Sequence, residues 1–411
     1  MAGQAGRPRL EVADILRRHA GDYLRAHQPS AAQLAVMRHL QECRTAALGG
    51  HVDTCDTCDY VRISYNSCRD RHCPKCQSLK KAEWLEARRE RLLPVPYFHV
   101  VFTLPEELRP LALRNKRTLF DILFHSAANT LLAIAADQKH LGAQIGFTAV
   151  LHTWTQKLDF HPHLHCVVTG GGLAPDGLRW ISRSPDFFLP VKVLRRLFRG
   201  KFLHALATAR DEGELEFEGS TASLHDQRTW RRLLDQLYST EWVVYAKPPF
   251  GGPEHVFRYL GRYTHRVAIA NHRLVSLADG QVQFRFRDRA DGARSKILSL
   301  DAVEFLRRFL LHVLPKRFIR IRHYGLLAGR NVHTKLLQAR RLLEGNSTTP
   351  HPDPPAVPLT DLDWSERLLQ LTGVDIFACP ACRTGRLASV PFEPGDIPLS
   401  AVPTPEPVDS S

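Results

Sequence analysis

The 411-residue sequence contains no apolar run of the roughly 20 residues that cross a bilayer. Its first residues, Met1 to Leu10, have no apolar signal-peptide core. These two absences argue against a membrane protein and against export, so a cytoplasmic location is expected. The nine cysteines are then expected as metal ligands or free thiols rather than disulfides. Acidic residues are also in deficit: 42 Asp and Glu face 56 Lys and Arg, a formal net charge of +14. A basic chain of this size commonly binds a polyanion, although a solvated basic surface gives the same count. No internal repeat marks the chain, so its organisation is read from local patterning.

The length allows two or three domains. Residues 9–27 and 30–43 read as helices, with Ser30 after Pro29 as an N-cap. The stretch from Cys43 to Gln77 is dense in Cys, His, Asp and Arg and has little helical period. Tyr97 to Leu104, Ile145 to His152, 161–169 and Glu241 to Lys247 read as strands, with helices over 116–137, near 190–210 and over 225–239. Pro253 opens a further helix. Arg273 to Leu277 and Gln281 to Asp288 form a hairpin around Asp279-Gly280. Asp301 and Glu304 make a capping box before the helix 302–314, and Phe318 to Tyr324 is a short basic strand before a helix near 330–344. Prolines 350, 352, 354, 355 and 358 mark a linker. The pattern predicts an α+β fold. An antiparallel sheet is favoured because a short loop joins the strands ending at His152 and beginning at His161. The divisions expected are a helical region 1–42, a cysteine-rich zinc-binding domain 43–93, a main domain 94–345 with an insertion at about 171–240, and a linker and tail 346–411.

Cys55-x2-Cys58 and Cys73-x2-Cys76 are separated by fourteen residues, near the paired-knuckle spacing of structural zinc. Each pair makes a tight turn, and two turns complete a tetrahedron of thiolates. Cys43, His51, Cys68 and His72 lie in the same stretch and could supply a second site, so one or two Zn²⁺ ions are expected. Cys379-Pro380-Ala381-Cys382 is half a knuckle, either a zinc ligand pair with a distant partner or a remnant.

His161-Pro162-His163-Leu164-His165 puts three imidazoles on one strand face and Leu164, Cys166 and Val168 on the other. Such a row suits a divalent ion. About a hundred residues downstream, Tyr259 and Tyr263 stand at i and i+4, on one helical face. A phenol can take a phosphate covalently and conserve the bond for rejoining. An aromatic pair at core spacing is the plainer reading, but Arg258, Arg262, His265 and Arg266 crowd the same helix and its exit, as a DNA backbone would require. On the hairpin, Val282, Phe284 and Phe286 alternate with Gln283, Arg285 and Arg287, and Arg320 and Arg322 alternate on the later strand. The cationic rows read as a DNA track or as an ordinary solvated face.

These motifs resemble a known family. His163-Leu164-His165 is similar to the His-hydrophobic-His motif of HUH single-strand endonucleases, and Tyr259 and Tyr263 to the paired tyrosines of their two-tyrosine branch. With residues 43–51, 66–76 and 259–269, the chain from about 8 to 345 resembles rolling-circle transposases of the insertion-sequence-ninety-one family. The resemblance implies an antiparallel HUH sheet with the His strand central, behind a small zinc domain. It implies Mg²⁺ or Mn²⁺ held by His163 and His165, and tyrosine attack on single-stranded DNA at element ends to give a 5′-phosphotyrosine and a free 3′-OH. His161 is the candidate third ligand. A bacterial cytoplasm, with nucleoid association on DNA and no membrane partner, follows from the same resemblance; the oligomeric state does not. A plasmid replication initiator or relaxase would share this chemistry. A zinc-containing DNA-binding protein without catalysis would leave the His row and tyrosines unexplained. A metallohydrolase would want a carboxylate beside the histidines, where Asp159 is the near candidate.

Overall fold

Segments rich in β-branched and aromatic residues pair across short loops, as β4 does with β5, and with strands distant in the chain, and these pairings set the architecture. The computed structural model describes residues 10–89, 91–182, 189–250, 261, 268–288, 290–345 and 362–394. In chain order its elements are α1 (Val12–Ala26), α2 (Ala31–Glu42), β1 (Gly50–Cys55), β2 (Val61–Tyr65), α3 (Ser78–Arg89), β3 (Tyr97–Thr103), α4 (Arg109–Arg114), α5 (Lys116–Ala136), β4 (Gly146–Trp154), β5 (Phe160–Thr169), β6 (Gly171–Leu173) and β7 (Trp180–Ser182). There follow α6 (Val191–Asp211), α7 (Gln227–Ser239), β8 (Val244–Phe250), β9 (Leu274–Ala278), β10 (Gln281–Asp288), β11 (Arg294–Asp301), α8 (Ala302–Leu311), β12 (Ile321–Gly325), α9 (Lys335–Glu344), α10 (Trp364–Thr372) and β13 (Leu387–Phe392). The fold is α+β, and the paired strands are antiparallel throughout.

The central sheet has five strands in the order β12–β4–β5–β3–β8, with the His strand β5 in the middle. One face carries Phe98, Val100 and Phe102 from β3, Phe147, Ala149 and Leu151 from β4, and Leu164, Cys166 and Val168 from β5. These pack on α5 and α6 through Phe120, Phe124, Phe198 and Phe202, all fully buried. Each such side chain contributes on the order of 2–3 kcal/mol. At 21 residues, α5 is long and apolar enough to cross a bilayer, contrary to the expectation that no stretch reaches that length. Its composition has another cause: 67% of its apolar window is buried inside the protein, against the sheet and α6.

The opposite sheet face is divided. One end is covered by Leu326, Leu327 and Leu336. The other end meets a second core built from α1, α2, α8 and the β9–β10 hairpin, whose buried side chains include Phe284, Phe305 and Phe309. The hairpin turns at Asp279 and Gly280, both at positive φ (49° and 72°), as an Asp-Gly turn between twisted strands requires. Asp301 caps α8 by accepting from the Val303 and Glu304 backbone N–H groups. The Glu304 carboxylate does not return the capping bond; it accepts from Arg307 and Arg308 instead. Strand β11 gives little sequence signal because most of it is exposed.

His312 ties the two cores together. Its Nε2–H donates to the Leu158 carbonyl (3.1 Å), and its Nδ1 accepts from the Thr153 hydroxyl (3.1 Å). Burial pushes this imidazole down to about 3, so it is neutral at physiological pH. Between about pH 6.5 and 3 the unfolded chain takes up a proton that the folded chain refuses. The stability this represents is full above pH 6.5 and is lost as pH falls toward 3. His312→Gln should cost about 1–3 kcal/mol at neutral pH and flatten the acid-side slope by one proton. Urea melts at pH 7 and pH 4.5 check this; an unchanged slope would assign the acid sensitivity elsewhere.

Candidate active site and metal centres

Alternation along β5 sets His161, His163 and His165 on the face away from α5 and α6. The β4–β5 register pairs His152 with His163 and Val150 with His165. The result is a cluster of His152, His163 and His165 in which one ring nitrogen from each lies within 4.8 Å of the others. The Nε2 atoms of His163 and His165 are 3.0 Å apart. Two imidazole nitrogens about 2.1 Å from one ion, at a right angle, would be separated by about 3.0 Å. The donor set therefore fits a divalent cation.

Hydrogen bonds behind the cluster aim these nitrogens. The His163 Nδ1–H donates to the His161 carbonyl at 2.6 Å, which leaves Nε2 as the lone-pair nitrogen. His165 Nδ1 lies 2.8 Å from Nε2 of His99, a buried residue of β3. With the proton on His165 Nδ1, its Nε2 lone pair points into the cluster, the usual role of an outer-shell partner.

His161 does not join the cluster. Its ring turns to Arg109, with Nδ1 3.3 Å from the guanidinium, and its contribution is the carbonyl that orients His163. The third imidazole is His152, which the sequence reading leaves out. A signal for it existed: two strands joined by a short loop must pair, and His152 ends the first. The pairing register is what the sequence does not display.

The cluster lies in a cleft of about 450 Å³, lined also by Trp154, Lys157, Tyr245 and Arg287. Trp154 stacks on His152, their ring centroids 4.5 Å apart. Among the described residues, the two carboxylates at the cleft are already engaged. Asp159 accepts from Thr155 (2.9 Å) and from Arg308 (2.9 Å), and Asp288 pairs with Lys296 (2.9 Å). Neither is presented as a water-activating base, which weighs against a metallohydrolase.

The arginine rows diverge. On β10, Arg285 and Arg287 are exposed while Val282, Phe284 and Phe286 are buried, and Arg287 reaches the cleft. Arg320 is buried at 8% exposure, and Arg322 pairs with Asp121 while lying 4.2 Å over the Phe124 ring. Arg320 belongs to the interior, and half-buried Arg322 is held against α5 rather than presented on an open cationic face. Tyr259, Tyr263, Arg258, Arg262 and Arg266 lie outside the described residues.

The cysteines form two quartets, and the partners differ from the spacing-based expectation. Cys43, Cys68, Cys73 and Cys76 make one; Cys55, Cys58, Cys379 and Cys382 make the other. In the first, Cys68 and Cys76 sulfurs are 3.7 Å apart and Cys43 and Cys73 sulfurs 3.5 Å. A tetrahedral Zn²⁺ with bonds of about 2.3 Å sets sulfurs about 3.8 Å apart, so the quartet fits structural zinc. His72 is not a ligand: its Nδ1–H donates to Asp70 (2.8 Å) and its Nε2 accepts from the Leu314 N–H (3.3 Å). His51, on β1, stands outside both quartets.

Two regions of the chain match known families. Residues 146–335, which carry the cluster histidines, match the family described as "Putative transposase", and residues 15–104 match "Transposase zinc-binding domain". The protein is thus a transposase, a DNA-processing enzyme with an N-terminal domain for structural zinc. It is 53% identical over 381 residues to "Putative transposase y4qJ" of Sinorhizobium fredii, spanning 92% of this chain and 94% of that one. It is 30% identical over 343 residues to "Transposase for insertion sequence element IS801" of Pseudomonas savastanoi pv. phaseolicola, spanning 83% of this chain and 79% of that one. The chain belongs to the insertion-sequence-ninety-one (IS91) family of transposases. No solved structure matches it.

Cys43 and Cys73 are buried in the second core with α1 and α2. Cys73→Ser should therefore remove one zinc per chain and lower the melting temperature by more than about 5 °C. Metal analysis with calorimetry checks this; a Cys73→Ser protein that keeps its full zinc content would refute the quartet.

Proposed function

We propose that this transposase cleaves and rejoins single-stranded DNA by the HUH mechanism, with Tyr259 and Tyr263 as nucleophiles and a Mg²⁺ or Mn²⁺ ion at the histidine cluster. The observation that carries the reading is the three-imidazole site of His152, His163 and His165 beside a cleft edged by Lys157 and Arg287. The tyrosines enter from the sequence motif and from family membership.

In the first step the phenol oxygen of one tyrosine attacks the scissile phosphorus. The P–O3′ bond breaks, a 5′-phosphotyrosine forms, and the phenol proton ends on the departing 3′-hydroxyl. No high-energy cofactor is consumed, because the phosphodiester energy is retained in the new bond. A bound divalent ion supplies Lewis-acid charge to the phosphate oxygens. His163 and His165 would hold it by Nε2, with His161 and His99 fixing their tautomers. Lys157 and Arg287 would hold the flanking phosphates. The second tyrosine permits a second transfer while the first remains attached, as rolling-circle transposition requires.

The test is a covalent protein–DNA band formed with single-stranded oligonucleotides carrying the element's ends and Mn²⁺. Tyr259→Phe with Tyr263→Phe should abolish the band, while Tyr245→Phe, the phenol lining the described cleft, should leave it. A band that survives the double change would overturn the assignment. His152→Ala and His163→Ala should weaken the band, with recovery at high metal. His99→Ala should weaken Mn²⁺ binding by about 10–100-fold in titration calorimetry, as loss of an outer-shell partner does. Equal Mn²⁺ affinity in His99→Ala would remove His99 from the site.

A further inference from the structure

The quartet of Cys55, Cys58, Cys379 and Cys382 joins residues more than three hundred positions apart, and two of its members lie beyond both matched family regions. We propose that it is a second structural zinc site, a clasp that fastens the C-terminal segment onto the N-terminal zinc-binding module.

The sulfur geometry is that of a tetrahedral ion. Cys55 and Cys382 sulfurs are 3.8 Å apart, as are those of Cys58 and Cys379. Zinc–sulfur bonds of about 2.3 Å predict about 3.8 Å, whereas a disulfide would bring two sulfurs to about 2.05 Å. Backbone N–H groups point at the sulfurs, Thr57 to Cys55 (3.4 Å) and Gly385 to Cys382 (3.2 Å). Such bonds offset thiolate charge in a knuckle turn.

The backbone around the quartet is built to bring the two halves together. The Asp56 N–H donates to the Arg386 carbonyl (3.0 Å), and the Asp56 carboxylate accepts from the Arg386 N–H (2.8 Å). A Cβ on Gly385 would lie 2.5 Å from the Cys55 sulfur and 2.6 Å from Thr57 Oγ1, so only glycine lets this turn approach. Beyond the quartet, β13 pairs with β1 from Cys55↔Leu387 to Gly50↔Phe392. Buried Asp53 accepts from Arg62 and Ser64 of β2 and from Ser389 of β13, which binds all three strands through one carboxylate. Burial raises its pKa, but the Ser389, Arg62 and Ser64 hydrogen bonds outweigh that and hold it below the usual range. The outer strand β13 is largely exposed and contains Pro391, so apolar burial contributes little to its attachment. A metal at one end of the strand supplies what the core does not.

The experiment uses the full chain purified with zinc. Metal analysis should give two zinc ions per chain, and Cys379→Ser with Cys382→Ser should give one. In that variant a protease should cut the C-terminal segment on the order of tenfold faster, with the far-UV spectrum retained. One zinc in the natural protein, iron in place of the second zinc, or two zincs in the double variant would overturn the proposal. Alkylation of the unaltered, zinc-loaded protein gives an independent reading. Cys55, Cys58, Cys379 and Cys382 should be protected and should become reactive together on chelation. Rapid modification of Cys379 and Cys382 in the loaded protein would overturn the clasp even if the double variant failed to fold.

Discussion

The pairing of β4 with β5 fixes everything at the site. Side chains on a strand alternate with a period of two, so a register that sends Ala149, Leu151, Leu164 and Cys166 toward α5 and α6 must send His152, His163 and His165 the other way. A slip of one residue on β5 would drive three imidazoles into an apolar core and strand Leu164 and Cys166 in the cleft. Desolvating those polar rings without partners costs several kcal/mol in total. The packing of two helices on one face thus holds the clustered imidazole nitrogens to within ångströms of one another on the other. The irregularity between His152 and Trp154 lets β4 end there, with Trp154 stacked on the imidazole.

The zinc-binding domain is not a separate bead. Its first quartet lies where α1, α2 and the β9–β10 hairpin meet, with Cys43 and Cys73 inside that core. The loop between Cys68 and Cys76 reaches the segment leading into β12: Arg71 donates to the Phe318 carbonyl (2.6 Å), and the Leu314 N–H donates to His72 (3.3 Å). Asp70 accepts from His39 and His72 and so orients the loop. Although burial raises its pKa, those hydrogen bonds hold it well below the usual carboxylate range. Two basic residues of this loop have internal partners, Arg71 as above and Lys75 on Glu11, while Arg69 is exposed. On β10, Arg285 and Arg287 are exposed, and Arg287 lines the cleft.

Much of the fold was legible in the sequence because its strongest elements are strongly periodic. Helices α2, α5 and α6, the hairpin at Asp279-Gly280 and the His strand begin and end close to where capping, apolar spacing and turn residues predict. Four of the missed strands share one cause. β1, β2, β11 and β13 are short, polar or half-exposed, and partners rather than propensity make them strands. At the site, His163 and His165 were legible because two residues of one strand report their own spacing. His152 and His99 come from neighbouring strands, and a register between strands is a tertiary fact. Arg322 misled for the converse reason: alternation puts it on a face, but Asp121 and Phe124 of α5 occupy that face.

The cysteines carry the same lesson to longer range. Spacing identifies a knuckle turn but not the turn it meets. Cys55 and Cys58 stand at the tip of the β1–β2 hairpin, whereas Cys43 and Cys68 flank its base, where the Arg44 N–H donates to the Asn66 carbonyl (3.0 Å). Five paired residues separate tip from base, and at about 3.3 Å per residue that is roughly 16 Å. A zinc ion spans sulfurs only about 4 Å apart. The tip pair therefore cannot share an ion with Cys73 and Cys76 at the base, however suitable the interval between them in sequence. Each end of the hairpin needs its own second pair. The base finds one in the next loop, and the tip finds one in the segment that returns as β13.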